Sequence, residues 1–341
     1  MRQMIAAAVG AVLLAAGAAT AQTPQTFKMT AAVSGGDIYD QGAKAFIAHL
    51  DFLTEGRIKI QLFPGGSLGN PLKVSETVRT GVADMGFTAA GYDWGIDPTT
   101  ALFNGYSGHL SAEVQMHWVY EGGGMELWQQ YREEKFGVKV VPLLLIPAEV
   151  GMHARKPIRS LADFKGIKLR TAGSWNEIAQ EFGASPVALS MADAYQALER
   201  GVVDAIEFST ASHNLQPGFH KIAKYIIIPG IHQPLAFWEI DIHPAAWAKI
   251  GERDKKLFAL AAKIASLEGW MKTNVADTKA FDVFRANGNE IIRLSDADRA
   301  EAHRKSVEWA ERKAKENPWF AKVFASQQAF EKAWQESDKR K

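Results

Sequence analysis

Between residues 147 and 243 the chain gathers the side chains best suited to holding an organic anion. Lys168-Leu169-Arg170-Thr171-Ala172-Gly173 puts an arginine at the end of a strand-like run. α/β folds place ligands at strand ends of this kind, and a planar guanidinium can hold a carboxylate through two parallel N–H bonds. A strand-end arginine facing solvent is the plainer reading of the same residue. Ala205-Ile206-Glu207-Phe208 places Glu207 between two apolar residues. In a strand its side chain points away from both neighbours. It is then either a solvent-facing acid on an edge strand or a buried carboxylate that needs an arginine, a metal ion or a cage of hydrogen bonds. Ala148-Glu149-Val150-Gly151 and Gly230-Ile231-His232-Gln233 complete the polar segment.

Positive signs of catalysis are missing. There is no G-x-x-x-x-G-K-[ST] phosphate loop and no H-E-x-x-H helix. The turn Gly65–Gly69 lacks a phosphate-binding lysine. The chain has no cysteine, which excludes disulfides, thiolate metal sites and cysteine nucleophiles. His109 and His117, and His213 and His220, are spaced to share a helix face, but neither pair has a carboxylate at metal-ligand spacing. Lys plus Arg number 39 and Asp plus Glu 38. So even a balance argues against a dedicated nucleic-acid binder.

These residues need a scaffold. The 341 residues exceed one ordinary core and suit two lobes. Strand-like runs at 27–33, 57–63 and 82–87 alternate with helical patterns, and so do 138–146, 167–170 and 202–208, with a helix over 174–182 and another over 191–200. That alternation predicts an α/β architecture. Arg79-Thr80-Gly81-Val82-Ala83-Asp84 is echoed by Arg200-Gly201-Val202-Val203-Asp204. The echo supports two lobes of similar plan, although helix–Gly–Val-strand is also a common accident in α/β chains. Apolar residues from Leu257 to Val275 mark one face of a long helix over 253–284. After Ser295, a helix cap, comes a charged tail carrying Trp309, Trp319, Phe320, Phe324, Phe330 and Trp334. Such a tail must dock, on its own body or on a second copy.

The amino terminus reads as an export signal. Arg2 is followed by the apolar run Met4–Ala18 and the small-x-small triplet Ala19-Thr20-Ala21. Cleavage after Ala21 removes one arginine and no acid, leaving 38 basic and 38 acidic residues. An exported chain without cysteine suits a bacterial periplasm.

Several runs resemble one family. Tyr92-Asp93-Trp94-Gly95-Ile96-Asp97-Pro98, Gly122–Leu127, Arg155-Lys156-Pro157-Ile158, Ala162–Gly166, Arg170–Gly173, Ala197–Ala205 and Gly218–Tyr225 are similar to the DctP-type solute-binding proteins of TRAP (tripartite ATP-independent periplasmic) transporters. The resemblance covers nearly the whole mature chain and is most specific at Arg170 and at 199–207. It implies a two-lobed periplasmic-binding-protein fold of type II-like clamp, with a long helix spanning the lobes and a helical tail. Lobe 1 is then 22–146 plus about 236–275, lobe 2 is 147–235 plus about 276–294, and the tail is 295–341, a possible dimer contact. The family captures a small organic acid by lobe closure and passes it to small and large membrane subunits driven by an ion gradient.

The branch it most resembles binds 2-oxo acids or lactate with a metal ion. That implies Arg170 on the ligand carboxylate, and a sodium or calcium ion held by Glu149, Glu207, the Phe208 carbonyl and Gln233. No covalent cofactor is implied. Glu149 and Gln233 depart from the branch pattern, which has Gln first and Glu last, so the ion itself is in question. His153-Ala154 replaces a Trp–Phe pair, which points to a larger or different ligand. Tyr92, Trp94, Trp175 and Trp238 are candidate cleft walls, with Phe208, as rigid rings with polar handles. Ordinary core packing is the competing reading for each. The competing functions are capture of an aromatic or sugar acid, a binding protein of another transporter class, and a periplasmic hydrolase or lyase.

Overall fold

The computed structural model describes residues 24–108 and 110–340. The expected export signal with its cleavage site, and His109, lie outside those residues. Two sheets organise the chain. The first has the order β2-β1-β3-β10-β4, built from β1 (Gln25–Ala31), β2 (Ile58–Phe63), β3 (Met85–Ala89), β4 (Lys139–Ile146) and β10 (Ala236–Ile242). The second has the order β11-β9-β5-β8-β6-β7. Its strands are β5 (Met152–Ala154), β6 (Lys168–Thr171), β7 (Ser185–Ala188), β8 (Ala205–Ile206), β9 (Tyr225–Ile228) and β11 (Glu290–Arg293).

β4 is buried along almost all its length because its run Val-Val-Pro-Leu-Leu-Leu-Ile pairs with β10 along one edge and packs against helices. β10 runs antiparallel between β3 and β4. The sequence pattern did not reveal β10: its Glu239 and Asp241 read as polar alternation, yet all seven residues are buried. β5, β7 and β9 also escaped, being runs of three or four residues, too short for a period to show. The expected strand over 202–208 shrinks to Ala205–Ile206, so Glu207 follows the strand rather than lying within it.

The echoed aspartates make the same contact. Asp84 accepts from the backbone N–H of Lys28 on β1 at 2.8 Å, and Asp204 from that of Lys168 on β6 at 3.0 Å. Each acid thereby ties the start of one strand to its parallel neighbour.

The long helix spans Glu252–Ala286. It packs on β4 and on the helix Ala45–Leu53 of the first sheet. At its far end Phe284 joins Val150 and Ile226 beside the second sheet. The tail forms helices Asp296–Glu316 and Pro318–Asp338, the first capped by Ser295 and the second by Asn317 with Pro318 at its first position. Its aromatics dock on this same chain: Trp309 meets Tyr106 and Phe320, and Trp319 meets Tyr131. No described helix is long and apolar enough to cross a membrane.

Gly65-Gly66-Ser67-Leu68-Gly69 has the G-x-S-x-G spacing of a hydrolase elbow. Here Ser67 sits on an exposed turn after β2, with no helix opening at it, unlike the strand–turn–helix that exposes a nucleophile.

Candidate functional site

The chain crosses from one sheet to the other after β4, again between β9 and β10, and along the long helix. A cavity of about 50 Å³ lies at the first two crossings. At roughly 10–15 Å³ per water, it has room for about four waters, the scale of a very small organic molecule. Its walls come from both sides. Ala89, Tyr92, Asn104 and Trp238 belong with the first sheet, while Glu149, Arg170, Glu207, Phe208, Ser209 and Gln233 come from the second sheet and the crossings.

Arg170 is almost fully buried in β6. Its Nε and Nη2 donate to the Leu189 carbonyl at 3.1 and 3.0 Å, and Nη1 donates to the Glu207 carbonyl at 2.6 Å. Those three bonds fix the plane of the fork. A guanidinium has five N–H donors, so two are left over. Glu207 Oε1 stands 3.5 Å from Nη1 and accepts the Ala172 backbone N–H at 2.8 Å. The Phe208 ring lies under the guanidinium at 5.6 Å.

His232 joins the acids. Its Nε2 is 3.0 Å from Glu149 Oε2 and 3.1 Å from Glu207 Oε2, and all three residues are buried or nearly so. Burial disfavours an imidazolium, but the hydrogen bonds to Glu149 and Glu207 outweigh it and push His232 up to about 9. Burial drives the Glu149 carboxyl upward. For Glu207 the opposing effects of His232 and Arg170 overcome burial and hold it low. Tyr92 is pushed up to about 12 by burial, so it offers a neutral hydroxyl.

Of the residues singled out in the sequence, Arg170, Glu149, Glu207, Phe208, Gln233, Tyr92 and Trp238 border the cavity. Trp94 is half-buried outside its lining. Trp175 packs behind it, 6.2 Å from the His232 ring and against Phe164 and Phe182. His153 stands away from the cavity against Phe219 and Phe284, its Nε2 3.0 Å from Asn214. So the His153-Ala154 exchange does not act on the cavity wall. Gln233 spends its amide nitrogen on the Asn104 and Leu235 carbonyls. His232, Asn104 and Ser209 were not singled out. The first stood inside the noted Gly-Ile-His-Gln run, and only the fold shows that its ring turns between two carboxylates.

Glu149, Glu207 and His232 each offer one ligand atom, all within 4.8 Å of one another. Two buried carboxylates make a donor set that fits a hard cation. The site contains no serine–histidine–acid relay: the histidine nearest a cavity serine, His213, pairs with Ser209 and Thr273 and with no carboxylate.

Comparison with known proteins agrees with this architecture. The model of bacterial extracellular solute-binding proteins, family 7 (DctP), matches residues 29–317, and the chain belongs to that family. It is a transporter's solute-binding protein, not an enzyme. A monocarboxylate 2-oxoacid-binding periplasmic protein of Nostoc is 27% identical over 296 residues, 86% of this chain and 81% of that protein. A TRAP solute-binding protein of Bordetella bronchiseptica, a mixed-occupancy dimer with copurified calcium and picolinate in one site, superposes with a TM-score of 0.87 at 21% identity. It covers 93% of this chain and 95% of that one. One of Pseudoalteromonas atlantica, with bound sodium and pyruvate, gives 0.86 at 24% identity, covering 93% and 96%.

Proposed function

We propose that this protein captures a small 2-oxo or 2-hydroxy monocarboxylate, with a sodium or calcium ion, in the cavity around Arg170, and delivers it to TRAP membrane subunits. The observation that carries this reading is the buried, pre-oriented Arg170 fork with two unassigned N–H donors, opposite two carboxylates in a cavity of about 50 Å³. A three-carbon acid suits that volume, and a sugar acid does not. The Nostoc relative and the pyruvate-bound relative support the ligand class.

Arg170 takes the carboxylate. Glu149 and Glu207 hold the ion, with the Phe208 carbonyl and Gln233 beside them, and His232 orients both acids. An ion held there would supply positive charge shared between the ligand's oxygens and the two carboxylates. Tyr92 and Trp238 close the cavity from the first sheet and exclude water, which strengthens every charged contact inside. Because walls come from both sheets, entry requires the lobes 22–146 plus 236–275 and 147–235 plus 276–294 to part, and ligand binding favours their closure. Export with cleavage after Ala21 places the protein in the periplasm. A homodimer is part of the proposal, supported by the dimeric Bordetella relative.

Thermal melting with pyruvate, lactate, picolinate, a sugar acid and a neutral sugar, each with calcium, with sodium and with a chelator, tests the reading. Pyruvate or lactate should raise Tm, as any ligand selective for the folded state does, and Arg170→Ala should abolish the rise. A rise with the sugar acid or the neutral sugar alone, or one that survives Arg170→Ala, overturns it.

A further inference from the structure

A second group of charges lies behind the cavity wall, and ligand capture does not use it. Asp93 follows Tyr92, and Glu239 and Asp241 follow Trp238 along β10. With Arg132 of the helix Gly124–Phe136 they form a cluster in which Arg132, Glu239 and Asp241 have no exposed surface and Asp93 is 4% exposed. Three carboxylates face one guanidinium, and uncompensated charge of that kind is costly in a protein interior.

Counting donors shows where the imbalance is relieved. Arg132 donates through Nε and Nη2 to Glu239, whose Oε2 also accepts Trp128 Nε1–H at 2.7 Å. Arg132 Nη1 donates to Asp93 Oδ2 at 2.8 Å. Glu239 is therefore well served as an anion. Asp241 is not. Its Oδ1 is buried with no hydrogen-bond partner, 4.0 Å from Arg132 Nε. Its Oδ2 lies 2.6 Å from Ser75 Oγ, which is also 2.5 Å from Asp93 Oδ2. A hydroxyl carries one hydrogen, so with both acids ionised one of these short contacts sets lone pair against lone pair.

One added proton removes both faults. Placed on Asp241 Oδ2, it is donated to Ser75 Oγ, and the Ser75 hydrogen is donated to Asp93 Oδ2. Asp241 Oδ1 is then the carbonyl oxygen of a neutral acid. Asp93, Glu239 and Asp241 each offer one oxygen within 4.8 Å of the others, but the cation among them is already Arg132, bound to Glu239 through Nε and Nη2 and to Asp93 through Nη1, and a guanidinium does not give up its charge. We infer that Asp241 is a built-in proton-binding site, a carboxylic acid that keeps its proton well above the ordinary carboxylate range, and that its proton braces the wall carrying Tyr92 and Trp238.

Among the described residues no other neighbour supplies the missing positive charge. In the sheet Asp241 pairs with Gly86 and Val140, and Glu239 with Thr88 and Pro142. The helix Val74–Arg79 turns Ser75 toward the cluster, and Gly124–Phe136 contributes Arg132 and Trp128, with the buried Tyr131 hydroxyl alongside. The turn at Asp93 adds only acids, Asp93 itself and Asp97 beyond. Burial pushes both the Asp241 and the Glu239 carboxyls up, against Arg132 in each case; the geometry assigns the proton to Asp241, because Glu239 accepts three N–H bonds and Asp241 Oδ1 accepts none.

Infrared spectroscopy of the whole protein, together with melting as a function of pH, tests this without any ligand. Wild type at about pH 5, above the ordinary carboxylate range, should show a protonated-carboxyl C=O band that Asp241→Asn removes. The asparagine N–H can donate to Ser75 as the acid does, so the variant should also lose the fall in Tm that wild type shows as pH rises from about 4, where a carboxyl of the unfolded chain ionises, through the raised value of the folded acid. If Asp241→Asn does not fold, Ser75→Ala serves instead, and should shift the band by freeing the acid's proton. A wild type without the band, a band unmoved in the variant, or an unchanged decline in Tm over that range overturns the proposal.

Discussion

Arg170 owes its usefulness to what it does not bind. Three N–H groups locked on the Leu189 and Glu207 carbonyls leave the fork rigid before a ligand arrives, which lowers the entropy lost on binding. Lysine would keep the charge and lose the plane. A charge-assisted hydrogen bond contributes roughly 1.5–3 kcal/mol. Arg170→Lys should therefore weaken pyruvate binding about 10- to 150-fold in calorimetry, and an unchanged Kd would mean that a point charge suffices. Two histidines make an opposite bargain. Burial pulls His153 down to about 3 and His213 down to about 4. Both are neutral when folded, whereas the unfolded chain takes protons near 6.5. Their contribution is thus complete above about pH 6.5 and declines as pH falls toward 4. Chemical denaturation at stepped pH should show this acid-side loss, and it should shrink in His213→Gln. Equal loss in wild type and variant would assign it to other groups.

Short elements hold the site in place more than long ones do. Gly230 lies in the crossing between β9 and β10, and a Cβ there would come 2.3 Å from the Glu149 carbonyl oxygen. Gly230→Ala must push the backbone that carries Glu149, so it should reduce or abolish the ligand-induced rise in Tm while most of the fold survives. A full rise in the variant would show that the crossing can yield. The long helix is judged by packing instead. Phe284 is fully buried against His153, His220 and Phe281. Removing such a ring costs about 3–5 kcal/mol, so Phe284→Ala should lower the unfolding free energy by that order in denaturant titrations. Helix caps were legible beforehand at Ser295, whose side chain opens its helix; the structure adds Ser190, which caps the helix Met191–Glu199 in the same way. β10 was not, because a central strand carrying two acids looks half-exposed until the buried partner Arg132 is seen.

At the scale of the molecule, the tail joins what the cavity separates. Trp309 donates to Glu177 at 2.7 Å beside the second sheet, while Asn317 and Gln327 reach Asp97 and the Leu102 carbonyl beside the first. Deleting 295–341 would bare Tyr106 and Tyr131, so the truncated protein should melt well below the full chain; an equal Tm would show that the tail is dispensable. The α/β class, the long helix, the aromatic tail and the candidacy of Arg170 and Glu207 for an anion site follow from residue types and local spacing, since periodicity, capping and charge are properties of neighbours along the chain. The folded molecule alone decides that His232 stands between Glu149 and Glu207, that Trp94 and Trp175 lie outside the cavity, and that three acids share Arg132. Those facts depend on side chains tens to hundreds of residues apart meeting where the chain crosses between sheets, and no local pattern encodes which of them will meet.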